Sequence, residues 1–136
     1  MADLPVLHRD LLGALDDLEA LTPRPACDEA AVTALRYRLT RLSGPRRKAV
    51  QVLCESVDAE DAAVQALAAI APVNRAASSA HIVNWTLRRI VADWAGYCAA
   101  SAVIRSAMRR QIEAEAAALD PYLDDGVLKD TARRGG

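Results

Sequence analysis

Apolar residues along the first part of the chain recur with a helical period. Leu4, Leu7, Leu11, Leu15 and Leu18 follow one another at steps of three and four, while Asp10, Asp16 and Asp17 fall on the other side, which predicts an amphipathic helix from Leu4 to Leu21. Asp3 suits its N-cap and Pro5 its first turn, and Thr22-Pro23-Arg24-Pro25 stops it. A second helix is predicted from Cys27 or Asp28 to Ser43, with Val32, Leu35, Leu39 and Leu42 on one stripe and Gly44-Pro45 breaking or kinking it. Residues 46 to 57 resume the spacing through Ala49, Val50, Leu53 and Val57, as a continuation or as a short separate helix. With Asp58 as cap, Val64, Leu67 and Ile70 predict another short helix that ends before Pro72. The third long element is placed from about Arg75 to Ala92, with Val83, Leu87 and Ile90 facing inward, and Asp93 with Gly96 marks a break. The last long helix is predicted from about Trp94 to Leu119, its inward stripe carrying Tyr97, Ser101, Ile104 and Met108, with Asp120-Pro121 ending it.

Composition agrees with this pattern. The chain has 136 residues with only six glycines, and about one residue in five is alanine, the best helix former. The length suits one domain with one core, and nothing between the helices reads as a long linker or a repeat. The expected architecture is therefore all-α: an up-down-up-down four-helix bundle over residues 1–123, with an extra short helix or kink between helices two and three. Residues 124–136, ending Arg133-Arg134-Gly135-Gly136, form a polar C-terminal tail in this reading.

Charge narrows the partners. Seventeen Lys and Arg against eighteen Asp and Glu leave a formal net charge of -1, without the basic surplus of a general nucleic-acid binder. Arg46-Arg47-Lys48 after Gly44-Pro45 is too small a patch to reverse that. Arg88-Arg89 and Arg109-Arg110 read as solvated helix faces. The N-terminus lacks the pattern of a signal peptide and no apolar run is long enough to span a bilayer, so a cytoplasmic protein without membrane contact is expected. Cys27, Cys54 and Cys98 are odd in number and widely spaced, which reads as ordinary reduced thiols and not as a disulfide framework or zinc site. No nucleophile constellation and no glycine-rich phosphate loop is present, so the expectation is a protein that is not an enzyme.

Two inward stripes carry polar residues. On the first helix His8 lies between Leu4 and Leu11, and on the last the stripe passes from Ile104 and Met108 to Gln111, Glu115 and Leu119. In an up-down bundle His8, Arg46-Arg47-Lys48, His81 and the Gln111/Glu115 pair are all drawn to one end. Leu7-His8-Arg9-Asp10-Leu11, Leu35-Arg36-Tyr37-Arg38-Leu39, Gln111-Ile112-Glu113-Ala114-Glu115 and Leu119-Asp120-Pro121-Tyr122-Leu123 together resemble the hemerythrin-like (HHE cation-binding) four-helix bundles. In that family, histidines and carboxylates from all four helices hold a non-haem di-iron centre that binds oxygen or reports on redox state.

The resemblance implies a metal set made of His8, His81 and Glu115, with Gln111 standing where the family has a histidine. Asn84 and Trp85 compete with His81 for the third-helix position. The region of the family's second-helix His-x-x-x-Glu pair reads Pro45-Arg46-Arg47-Lys48-Ala49-Val50 and offers no ligand, and the chain holds only two histidines, too few for a complete di-iron site. What remains has the composition of a two-histidine, one-carboxylate site suited to Fe(II). The plainer alternative pairs His8 with a carbonyl or carboxylate and Glu115 with Arg46, Arg47 or Arg109, because arginine relieves a buried carboxylate as metal would. Tyr37, Trp85, Trp94 and Tyr97 are taken as core volume in place of phenylalanine, and a haem held by the two histidines has no attachment motif to support it. The resulting expectation is a degenerate-site sensory, regulatory or protein-interaction module with no cofactor. Its alternatives are a non-haem iron oxygen or redox sensor using His8, His81 and Glu115, and a structural bundle that self-associates.

Overall fold

The computed structural model describes the backbone of residues 3–57 and 60–135, and side chains as far as Leu123. The described residues are helical apart from short connections and contain no strand. Five helices follow in order: α1 (Leu4–Leu21), α2 (Glu29–Ser56), α3 (Ala62–Asn84), α4 (Leu87–Ala92) and α5 (Trp94–Gly135).

The first helix follows its sequence pattern closely. Leu4, His8, Leu11, Ala14, Leu15, Leu18 and Leu21 are its buried residues, a stripe with the three-and-four spacing of one helix face. Pro5 occupies the first turn and Asp3 the N-cap, although the Asp3 side chain makes no capping bond. At the other end the Thr22 N–H and hydroxyl both donate to the Glu19 carbonyl, at 3.0 and 2.7 Å. Asp28 caps α2 by accepting from the Ala31 N–H at 3.1 Å.

Three prolines lie inside helices: Pro72 and Pro121, where an end was expected, and Pro45, where a break or a kink was. Pro45 is inside α2, Pro72 inside α3 and Pro121 inside α5. Each proline removes one backbone hydrogen bond and leaves the rest of the ladder intact, and packing on both sides holds α2 and α3 together. In α2, Val32 is buried before the proline and Arg46 and Val50 after it. In α3, Val64 and Leu67 are buried before Pro72, and His81 beyond it stacks on Tyr97. The predicted break before Pro72 and the element from Arg75 to Ala92 are therefore corrected. One helix spans Ala62–Asn84, capped by Asp61 accepting from Ala63 and Val64. Asp58, the predicted cap, lies outside the described residues.

The real break falls at Trp85-Thr86, where the Thr86 hydroxyl accepts from the Arg89 N–H at 3.3 Å and starts α4. This displaces Val83, predicted to face inward and in fact 74% exposed, while Ile90 is buried as expected. The break at Asp93 is where the pattern put it, and Asp93 Oδ1 accepts from the Gly96 N–H at 3.0 Å. The predicted end at Asp120-Pro121 is corrected as well: backbone helix continues to Gly135. The proposed polar character of 124–136 concerns side chains outside the described residues.

The core is layered along α1. Leu4 packs with Val50, Val64, Leu67, Ala118 and Leu119. Leu11 and Leu15 meet Ile112. Leu18 and Leu21 join Val32, Trp85, Ile90, Trp94 and Tyr97. His8 and Glu115 fall between the first and second layers, so the fold encloses a polar cluster between two apolar ones.

The start of α5 gives a direct check. A Cβ at position 96 would collide with the Asp93 carboxylate that caps the helix. Asp93→Ala should cost about 1 kcal/mol in urea unfolding. Gly96→Ala should lower stability too, in place of the gain that alanine ordinarily brings within a helix.

Candidate functional site

Glu115 is the most confined charged side chain of the described residues, 2% exposed. Three donors converge on its carboxylate. His8 Nε2 lies 2.9 Å from Oε1, Arg46 Nη1 donates to Oε2 at 3.4 Å, and Gln111 Nε2 donates to Oε2 at 3.1 Å. A carboxylate only accepts, so this geometry puts the His8 proton on Nε2. His8 and Arg46 are 5% and 6% exposed, and Gln111 is half-buried. Each donor arrives from the helix register already described: His8 from the α1 stripe, Arg46 from the turn of α2 after Pro45, and Gln111 one turn ahead of Glu115 on α5. Burial lowers the Arg46 guanidinium from its ordinary pKa against the opposing pull of Glu115, and Arg47 lowers it further. Arg46 Nε has no partner.

Of the sequence candidates, the structure brings His8, Glu115 and Gln111 together with Arg46, and sets His81 apart. His81 stacks on Tyr97 with ring centroids 5.8 Å apart and planes 24° from parallel. Tyr97 and Glu115 are both on α5, roughly 27 Å apart along the helix axis at its standard rise. Trp85 and Trp94 also pack on the Tyr97 ring, at 5.7 and 5.8 Å, which makes these three core volume, whereas Tyr37, expected with them, is 67% exposed. Arg109 does not reach Glu115; it pairs with Asp16 at 2.7 Å and Glu19 at 3.6 Å.

The donors at Glu115 do not fit a metal as they stand. Only one imidazole and one carboxylate meet there, short of a two-histidine, one-carboxylate set, and a guanidinium already lies on the second carboxylate oxygen. Among the described residues no group of three or more His, Cys, Asp or Glu side chains is placed to hold a metal ion.

A second cluster surrounds Tyr97, and sequence reasoning missed its principal member. Arg105 is 6% exposed, its Nη1 donates to Ser101 Oγ at 2.6 Å, and its Nε has no partner. No Asp or Glu among the described residues forms an ion pair with it. The signal was present: Tyr97, Ser101 and Arg105 succeed one another at steps of four, so the stripe that buries the first two also buries the third. Burial raises the Tyr97 phenol, while its bond to Ser101 and the nearby Arg36 and Arg105 cations act the other way.

The two clusters open on one cavity of about 850 Å³ between α2, α3 and α5, with Leu15 and Leu18 of α1 in its wall. Arg46, Gln111 and Glu115 line it at one level, and His81, Tyr97, Ser101 and Arg105 at another. The three cysteines are free and half-buried. Burial is the largest influence raising each thiol. Arg105 lowers the Cys98 thiol without outweighing that burial, so none is an activated nucleophile.

No protein family, curated protein or solved structure matches this chain.

Two measurements follow from the geometry. Removing one member of a buried pair leaves the other charge unmatched, so Glu115→Ala should cost about 3–5 kcal/mol. Arg46→Ala should cost less, because His8 and Gln111 still serve Glu115. A double-mutant cycle should show strong coupling between the two positions. His81 is held below its ordinary value of 6.5, by burial first and then by Arg36 and Arg105. The unfolded chain therefore binds a proton near 6.5 that the folded chain takes up only at lower pH. The stability contributed by neutral His81 is complete above that value and declines as pH falls below it. His81→Phe, which keeps the ring on Tyr97, should remove this part of the acid-side slope in melting temperature.

Proposed function

We propose that the chain is a non-enzymatic helical module of the hemerythrin-like kind, acting by binding as a sensory, regulatory or protein-interaction unit, in which a buried ion cluster occupies the place of the metal. The observation that carries this reading is Arg46 on Glu115: a guanidinium bonds the carboxylate that the resemblance assigns to metal, with His8 on its other oxygen. Arginine answers the cost of burying Glu115 as a cation would.

The order of the core layers supports an up-down-up-down winding of α1, α2, α3 and α5. The start of α1 packs with the far end of α2, the start of α3 and residues 118–119 of α5. The far end of α1 packs with the start of α2 and the start of α5. Among the described residues no Cα of α1 comes within 8 Å of one in α3, although their first turns share an apolar layer, as for diagonal members of such a bundle. No helix of the described residues is long and apolar enough to cross a membrane.

A second reading has its own observation. Ile70 and Val73, three residues apart on one side of α3, are both exposed, and this small apolar patch favours self-association. Sedimentation velocity across a concentration series supports that reading if the chain dimerises and Val73→Lys reverses it; a monomer throughout counts against it.

Elemental analysis of protein purified from iron-supplemented cells tests the first reading. The expected result is iron far below one per chain, unchanged in His8→Ala. Stoichiometric iron that disappears in His8→Ala contradicts it.

A further inference from the structure

A buried cation without a counter-charge is among the costliest features a fold can carry. Arg105 is such a group among the described residues. Its guanidinium is buried, makes one bond to a neutral hydroxyl, leaves Nε unbonded, and lines the cavity between α2, α3 and α5. Arg46 lines the same cavity, with its own Nε unbonded and only one of its terminal nitrogens on Glu115. The charges along the wall are unequal. Arg36, Arg46, Arg47, Arg75 and Arg105 face Glu55 and Glu115, and Glu115 is already bonded by three donors.

The remaining wall is largely hydrocarbon, from Leu18, Leu39, Val50, Leu67, Ile104 and Met108. About 850 Å³ is within the range of small-molecule sites, and such sites combine an apolar wall with a few placed polar groups. Arg105 and Glu115 lie ten residues apart on α5, roughly 15 Å along the axis, with Ile104 and Met108 among the apolar residues on the same wall. The cavity is therefore long, with an uncompensated cation at one level and a compensated cluster at the other.

From this arrangement we propose that the cavity binds an amphipathic organic anion, a single carboxylate on an extended apolar body, with the carboxylate on Arg105 and Ser101 and the body against Leu39, Ile104 and Met108. A carboxylate matches the paired donors of a guanidinium, and a singly charged head is the lightest anion to desolvate beside an apolar wall. Tyr97 and His81, stacked on one another, line that end of the cavity. Such an anion is the ligand that a sensory module requires, and only the use made of its binding rests on that reading.

The experiment titrates the full chain calorimetrically with decanoate, decan-1-ol, decyltrimethylammonium and inorganic phosphate. Decanoate should bind once per chain and raise the melting temperature. The alcohol and the ammonium should bind at least about tenfold more weakly, the equivalent of a lost charge-assisted bond, and phosphate likewise. Arg105→Leu should lose decanoate affinity by a similar factor while its unliganded melting temperature stays at or above the parent's, because an unmatched charge has been removed. A merely structural Arg105 would instead lower it. Arg105→Lys, which keeps the charge without the fork, should bind at intermediate strength, and the comparison of head groups on the unaltered chain stands even if the leucine variant fails to fold. Equal binding of decanoate and decan-1-ol, unchanged binding in Arg105→Leu, phosphate binding as tight as decanoate, or no binding of any probe would overturn the proposal. Iron found at His8 and Glu115 would overturn the reading of the preceding subsection and leave this titration to be judged by its own result.

Discussion

The burial of the Glu115 charge constrains more of this structure than any other single feature. A carboxylate 2% exposed between two apolar layers must be met by donors from whatever packs around it, and three different helices supply them. His8 comes from α1, Arg46 from α2 and Gln111 from α5 itself. Fixing those contacts fixes the registers of α1 and α2 against α5. It also accounts for the continuity of α2 through Pro45, since Arg46, the next residue, is held by a bond that a break would forfeit. The apolar layers on either side, Leu4 with Leu119 and Leu11 with Ile112, hold the carboxylate between them.

Arg105 stands in contrast. It is buried to a similar degree by the same helix, yet the described residues provide it with one hydroxyl and no carboxylate. Glu115 is a satisfied group and Arg105 an unsatisfied one, and both lie on the wall of a single cavity. The first is the work of a structural cluster. The second is what a ligand site looks like before its ligand arrives, because the desolvation cost has already been met by the fold and an incoming anion recovers it.

Much of this was legible in the sequence, and the failures have physical causes. The bounds of α1, the start of α2 near Asp28, the break at Asp93 and the inward places of His8, Gln111 and Glu115 follow from helical spacing and capping chemistry alone. Arg46 was among the three arginines named for Glu115, but spacing could not choose it over Arg47 or Arg109; only packing does. Pro72 and Pro121 misled because local rules treat proline as a terminator, whereas contacts on both sides of Pro72 outweigh one missing hydrogen bond; at Pro45 the helix takes the continuous course that spacing had left open beside a break. The displaced break at Trp85-Thr86 then carried Val83 to the surface. His81 was drawn to the wrong level of the fold by the short-helix reading of residues 64–70. Arg105 escaped because an inward stripe was followed through the apolar Ile104, one position before the cation that the same stripe buries.

What neutralises Glu115 is tested most directly by anomalous diffraction at the iron absorption edge, from crystals grown without chelator. The expected result is the Arg46 guanidinium on one oxygen of Glu115, His8 Nε2 on the other, and no anomalous peak beside them. A peak within bonding distance of both His8 and Glu115, with Arg46 turned away, would contradict it.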